Sequence, residues 1–227
     1  MILKQMETEL TRLSDPEKKI QLPRFFKTGK GEYGEGDLFL GVVVPDIRKT
    51  AKKYLSLTLA EVTQLLASPY HEIRLCALLI LVEQYKKADS AYRQIIYDFY
   101  LAHTQHINNW DLVDLSCRFI VGEHLKDSRE RSILYRLSKS INLWERRIAV
   151  VSCYTFIKNN DFTDIITLSS QLLSDKHDLM HKATGWMLRE MGKCNKDELI
   201  HFLNQHYKDM PRTMLRYSIE KLTPEEK

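Results

Sequence analysis

From Pro45 onward apolar residues recur at helical spacing almost without interruption, and no convincing alternation of period two appears in the chain. A chain patterned this way must bury one stripe of each helix against other helices, so the expected fold class is all-α. Helix starts are marked by residues suited to a first turn: Asp15 before Pro16, Pro45, and Thr58 followed by Glu61 at the spacing of a capping box. Further starts are expected near Pro69, Asp89, Asn109, Ser128, Asn142, Asp161, Asp175, Asn195 and Pro211. The pieces between them are roughly 10 to 18 residues long and are separated by short polar turns, the rhythm of paired antiparallel helices.

A repeat lies beneath this rhythm. The segments HEIRLCALL, WDLVDLSCR, WERRIAVVS and MHKATGWML can be superposed so that Arg74, Asp114, Arg147 and Lys182 share one register position. Two residues later stand Cys76, Ser116, Ala149 and Thr184, all small, as expected where a second helix crosses closely. The register positions are separated by 40, 33 and 35 residues, near the period of about 40 residues that marks HEAT-type helical hairpins. The expectation is a single domain, residues 1–227, of HEAT-like hairpins stacked into a curved α-solenoid with a concave binding face.

Composition narrows the partners. With 44% hydrophobic and 28% charged residues, and no apolar run approaching a span of about 18 residues, the chain reads as a globular protein without a membrane segment. The start MILKQMETELTRL reads as an amphipathic helix without a signal peptide's apolar block, so a cytoplasmic location is expected. Cys76, Cys117, Cys153 and Cys194 lie far apart in apolar helical patterns, which suits reduced core thiols. Net charge is only +4, yet Arg129 to Arg147 holds six cations against two anions. A basic face of that density points to a polyanion partner.

Within the repeat, Asp114 is the exception, an anion where the other three register positions carry cations. Complementing the helix dipole does not explain it, because Asp111 already occupies the first turn and serves that purpose better. Asp114 is therefore the candidate for chemistry, and Asp111 for helix support.

These residues resemble a known family. Phe25 to Pro45 (FFKTGKGEYGEGDLFLGVVVP), the Trp110-Asp-Leu-Val-Asp114 block, the Trp144-x-Arg-Arg147 block and the Lys182-Ala-Thr-Gly-Trp186-Met-Leu-Arg189 block are similar, in this order, to the AlkD-like DNA alkylation repair family of HEAT-like repeat DNA glycosylases. The resemblance implies an enzyme that cuts the N-glycosidic bond of cationic N3- and N7-alkylated purines in duplex DNA; the leading reading is a monofunctional glycosylase, with no cofactor or metal expected. It implies that Asp114 is the catalytic aspartate, that Trp110 and Trp186 contact the lesion's backbone, and that Arg147 is the active-site arginine. Phe25 and Val43 stand where some members carry a tyrosine and a glutamine facing DNA. Arg146 and Arg189 are further DNA-binding candidates, and a monomer is expected.

The chemistry agrees with those residue types. An alkylated purine is already a cationic leaving group, so what needs stabilising is positive charge growing on the deoxyribose. A carboxylate shielded from water does so and can position the attacking water, and tryptophan faces attract cations by about 0.5 to 2 kcal/mol. Trp186, in the apolar run GWML, has a core role as its alternative, and Trp144 is assigned to the core. The GKGEYGEG stretch lacks the GK[ST] ending of a phosphate loop and reads as a connection that lies on DNA through Lys27 and Lys30. His103 and His106 lack a second ligand pair for a metal. The competing reading is a non-catalytic HEAT-like solenoid that binds structured DNA or a protein partner.

Overall fold

A computed structural model describes residues 2–226. Those residues are helical with no strand; a single isolated bridge joins Leu38 to Tyr70. None of their helices is long and apolar enough to cross a membrane. They fall into two compact units, Met1–Ser116 and Cys117–Lys227.

In the first unit α1 (Ile2–Arg12) and α2 (Pro16–Phe25) lead through the glycine-rich loop to α3 (Val44–Ala51), α4 (Leu59–Leu66), α5 (His71–Lys87), α6 (Ser90–Ala102) and the short α7 (Trp110–Asp114). Helix α5 is the spine. Fourteen of its seventeen residues are buried, so it is apolar all round rather than striped, and α1, α3, α4, α6 and α7 pack on it. In the second unit a π-helical turn, Arg118–Gly122, runs into α8 (Glu123–Leu125) and is followed by α9 (Ser132–Ser138), α10 (Leu143–Lys158), α11 (Thr163–Gln171), α12 (Asp178–Cys194), α13 (Lys196–His206) and α14 (Arg212–Ser218). Here α10 packs on α9, α11 and α12, while α12 takes α13 and α14 on its other sides.

The capping residues mostly act where the sequence places them. Asp15 accepts from the N–H groups of Glu17 and Lys18, Thr58 and Glu61 form a capping box, and Asp89, Asn109, Asn142 and Asn195 each cap a helix. Two starts come later than expected. Ser128 accepts from Glu130 N–H, and the Glu130 carboxylate accepts from Ser132 N–H, so these side chains close a turn and α9 begins only at Ser132. Asp175 likewise accepts from His177 N–H, and α12 starts at Asp178.

Cys76, Ser116, Ala149 and Thr184 are all buried, as the repeat register requires of crossing points. Trp144 is buried too. The cysteines divide: Cys76, Cys117 and Cys153 are in the core, but Cys194 is exposed, contrary to its apolar sequence pattern, because it is the last residue of α12 and the chain turns away there. Burial pushes the Cys76 thiol up to about 12 and raises Cys153 well above the ordinary range. Titration of the native protein with a disulfide reagent at pH 8 is therefore expected to modify one thiol quickly and all four only in denaturant. Loss of the fast phase in Cys194→Ser checks the assignment, and two fast thiols in the native protein would contradict it.

Candidate active site

The first turn of α5 points three polar residues, His71, Glu72 and Arg74, into the protein. Glu72, buried, accepts the backbone N–H groups of Leu40, Gly41 and Val42 at 2.9, 2.8 and 3.2 Å, which pins the segment leading into α3. Gly41 sits at φ +89°, and a Cβ there would lie 2.3 Å from the Asp15 carbonyl oxygen, so no other residue permits this approach. His71, one residue earlier, is held between two carboxylates: Nε2 lies 2.8 Å from Asp111 and Nδ1 3.2 Å from Asp37. Asp37 also receives Arg74 at 2.7 Å and the Asn108 amide at 3.0 Å. Two cations and two anions thus balance one another in a nearly dry site.

The electrostatics of His71 follow from that enclosure. Burial alone disfavours the imidazolium, but the Asp111 charge and the hydrogen bonds to Asp111 and Asp37 outweigh it and lift the pKa from 6.5 to about 9. For Asp37 burial raises the pKa, while hydrogen bonding to His71 and the charge of Arg74 bring it below the ordinary value. His71 is therefore an imidazolium at neutral pH.

An aromatic stack surrounds it. The imidazole ring packs against both Phe26 and Phe39, with centroids 4.7 and 4.8 Å away, while those two rings stack on each other at 5.1 Å and Phe26 stacks in turn on Trp110 at 5.3 Å and 20°. Phe25, 62% exposed, sets its edge against Phe26 and Trp110. These rings form one wall of an apolar cavity of about 570 Å³, to which Val43, Asp111 and Asp114 also contribute. Asn109 caps α7 by accepting from Trp110 N–H at 2.8 Å, and the three-residue spacing from Asp111 to Asp114 puts both carboxylates on one side of this short helix. They differ in surroundings. Asp111 is buried against His71; Asp114 is half-buried at the cavity.

Helix support is thus only part of what Asp111 does. Its Oδ1 does accept from Leu112 N–H in the first turn, at 2.9 Å, but Oδ2 makes the buried ion pair with His71. Sequence reasoning treated HEIR as a register marker and missed His71, Glu72 and Asp37. The signal was present, since three polar residues among the first four of an otherwise apolar helix need buried partners.

The second unit holds the other candidates. Arg147 is buried and donates from Nη1 to the Leu179 carbonyl at 2.6 Å, bracing the first turn of α12. Trp186 is half-buried, 6.3 Å from the Tyr154 ring. Arg146 does not stand open as a cation: it donates to Asp175 at 2.7 Å and to the Ser140 carbonyl at 2.9 Å. Arg189 pairs with Glu220. Arg131 is gripped by Asp161 and Asp164 at 2.6 and 2.7 Å. The basic excess counted along Arg129–Arg147 is offset in space by carboxylates from later turns, leaving Arg129, Arg136 and Lys139 exposed. Lys27 and Lys30 are exposed on the connecting loop, Lys27 facing Glu32 at 3.9 Å. The His103 ring stacks on Phe99 at 4.0 Å and its Nδ1 donates to the Phe99 carbonyl at 2.7 Å.

Two stability measurements probe this arrangement. Because the folded pKa of His71 lies above the unfolded value, its contribution is complete below about pH 6.5 and disappears as pH rises through 9, an order of about 3 kcal/mol. Denaturant unfolding across that range should show the loss; buried thiols add a similar slope above pH 8, so the comparison is with His71→Gln, whose profile should be flatter. An equal slope in the variant contradicts a charged His71. Asp111→Asn should cost roughly 3 to 5 kcal/mol by leaving the imidazolium short of a counter-charge, and a melting temperature equal to the parent's would contradict the buried pair.

Comparison with known proteins agrees with the fold. One solved structure, described as a predicted DNA alkylation repair enzyme from Enterococcus faecalis, superposes with a TM-score of 0.71 at 15% identity, over 93% of this chain and 97% of that one. No curated protein sequence matches. The sequence model of the DNA alkylation repair enzyme family matches residues 6–222, which is nearly the whole length. The chain belongs to the DNA alkylation repair enzyme family.

Proposed function

We propose that the protein is a monofunctional DNA glycosylase of base excision repair, a cytoplasmic monomer that hydrolyses the N-glycosidic bond of cationic N3- and N7-alkylated purines in duplex DNA. The observation that carries this reading is the cavity of the first unit, where Asp114 contributes a half-buried carboxylate to walls that are mostly aromatic and aliphatic, beside the Asp111 carboxylate paired with His71. Family membership supports a repair role.

The geometry suits the reaction. An alkylated purine departs with the bonding electron pair and becomes neutral, so no acid is needed to protonate it. Charge then develops on the deoxyribose, and a fixed anion beside an apolar wall, where little water competes, stabilises it far more than bulk solvent does. Water adds to the sugar and gives up a proton to solvent. Trp110 is held by Phe26 and capped by Asn109, so its position is fixed before substrate arrives. The Asp111 carboxylate faces His71 in the core, and Asp114, half-buried at the cavity, is the carboxylate of α7 assigned to the sugar. Phe25 and Val43 offer no hydrogen bond to the lesion and give that wall an apolar character. Trp186 keeps, in this proposal, the contact to the lesion's backbone that the resemblance implies, and Arg147 keeps the place of the active-site arginine, its planar fork suited to a phosphate near the lesion.

Release of alkylated purine bases from methylated duplex DNA tests the reading. Asp114→Asn keeps size and hydrogen bonding but removes the charge, so single-turnover excision should fall by roughly two or more orders of magnitude, with DNA affinity unchanged or higher. Excision at the parent rate, or no release by the parent protein, would refute it.

A further inference from the structure

With Arg131, Arg146, Arg147 and Arg189 all committed to acceptors, Arg118 is conspicuous. Its guanidinium lies over the rings of Phe119 and Tyr154, 4.5 and 4.8 Å from their centroids. Among the described residues no carboxylate, carbonyl or hydroxyl accepts from it, and Nε is shut away from solvent without an acceptor. An always-charged group with five donors, held flat and left without an acceptor, is set up for an external anion.

The backbone explains why it is placed there. Arg118 opens the π-helical turn, and Gly122 closes it. A Cβ on Gly122 would lie 2.6 Å from the Ser152 carbonyl oxygen and 2.7 Å from Thr155 Oγ1, so this turn rests directly on α10. The wider turn frees the Arg118 carbonyl, which receives both the Glu123 N–H and, at 2.9 Å, the Thr155 hydroxyl. The same contact lays the Arg118 side chain across Tyr154, one residue before Thr155 on α10.

The surroundings carry excess positive charge. Lys158, one turn after Tyr154, sets its Nζ 5.2 Å from the same ring. Lys158 and Lys193 share a single carboxylate, Glu190, at 3.1 and 2.6 Å. Trp186 lies beside Tyr154. With Arg189 also 3.9 Å from Glu190 and paired with Glu220, four cations stand against two anions beside the rings of Phe119, Tyr154 and Trp186.

We propose that Arg118, stacked on Tyr154 and flanked by Lys158, binds a phosphodiester group of the DNA backbone. The inference rests on the duplex-DNA reading above. The planar fork matches two phosphate oxygens, and the stacking holds it in place before binding, so little side-chain freedom is lost.

Equilibrium binding to an undamaged duplex, measured against salt concentration with thermal melts in parallel, separates a phosphate contact from packing alone. In Arg118→Ala the slope of log affinity against log salt should shrink by about 0.9, one phosphate's worth. Arg118→Lys should keep the slope but bind several-fold more weakly. Parent slope and affinity in Arg118→Ala, while the parent protein binds DNA, would overturn this inference and leave the glycosylase reading intact. Failure of the parent protein to bind any duplex would overturn both. A melting-temperature rise with millimolar inorganic phosphate in the parent but not in Arg118→Ala, without a slope change on DNA, would assign the site to free phosphate and also overturn it.

Discussion

The buried imidazolium of His71 organises the first unit. It ties the start of α5 to Asp111 on α7 and to Asp37 in the connecting loop, and it packs against the stacked rings of Phe26 and Phe39. Removing two carboxylates from water would be unfavourable without the opposite charges of His71 and Arg74 and the Asn108 amide. Once that balance exists, Trp110 is seated on Phe26 and the orientation of α7 is fixed by its own second residue. The candidate site is therefore a consequence of a core arrangement.

That arrangement separates two carboxylates three residues apart on a helix of five residues. Asp111 is spent on structure, and its charge is cancelled within the core. Asp114, a turn further on, keeps its place at an apolar cavity, where a carboxylate acts on a cation at short range with little solvent screening. Such a pair illustrates how one short helix supplies both the anchor and the reacting group. Glu72 serves the opposite wall, since its three backbone hydrogen bonds fix the segment that contributes Val42 and Val43 to the cavity.

Much of this was legible in the sequence because it depends on local rules. Period and caps gave the helices, with Asp15, Thr58 and Asn109 acting where expected, and the small residues of the repeat register are buried at each occurrence. The singling out of Asp114 from its register partners leads to a residue that lines the cavity with Trp110. What escaped was long-range pairing. His71 and Asp37 are 34 residues apart, and nothing in local pattern says that they meet. The pairing of the basic stretch escaped for the same reason, since Asp161, Asp164 and Asp175 neutralise Arg131 and Arg146 from positions about 30 residues downstream. Arg118 went unmarked because its interest lies in lacking an acceptor, which only the structure reveals.

The central claim is that Asp114 stabilises positive charge on the sugar, and the most direct measurement compares binding of two duplexes. One carries a pyrrolidine in place of the damaged nucleotide's sugar, cationic at neutral pH; the other carries the neutral tetrahydrofuran analogue. A site complementary to a sugar cation binds the charged mimic more tightly. The account predicts a preference of at least tenfold, about 1.4 kcal/mol, that disappears in Asp114→Asn and persists in a correctly folded Phe25 variant. Equal affinity of the parent protein for the two duplexes, or an undiminished preference in Asp114→Asn, would contradict it.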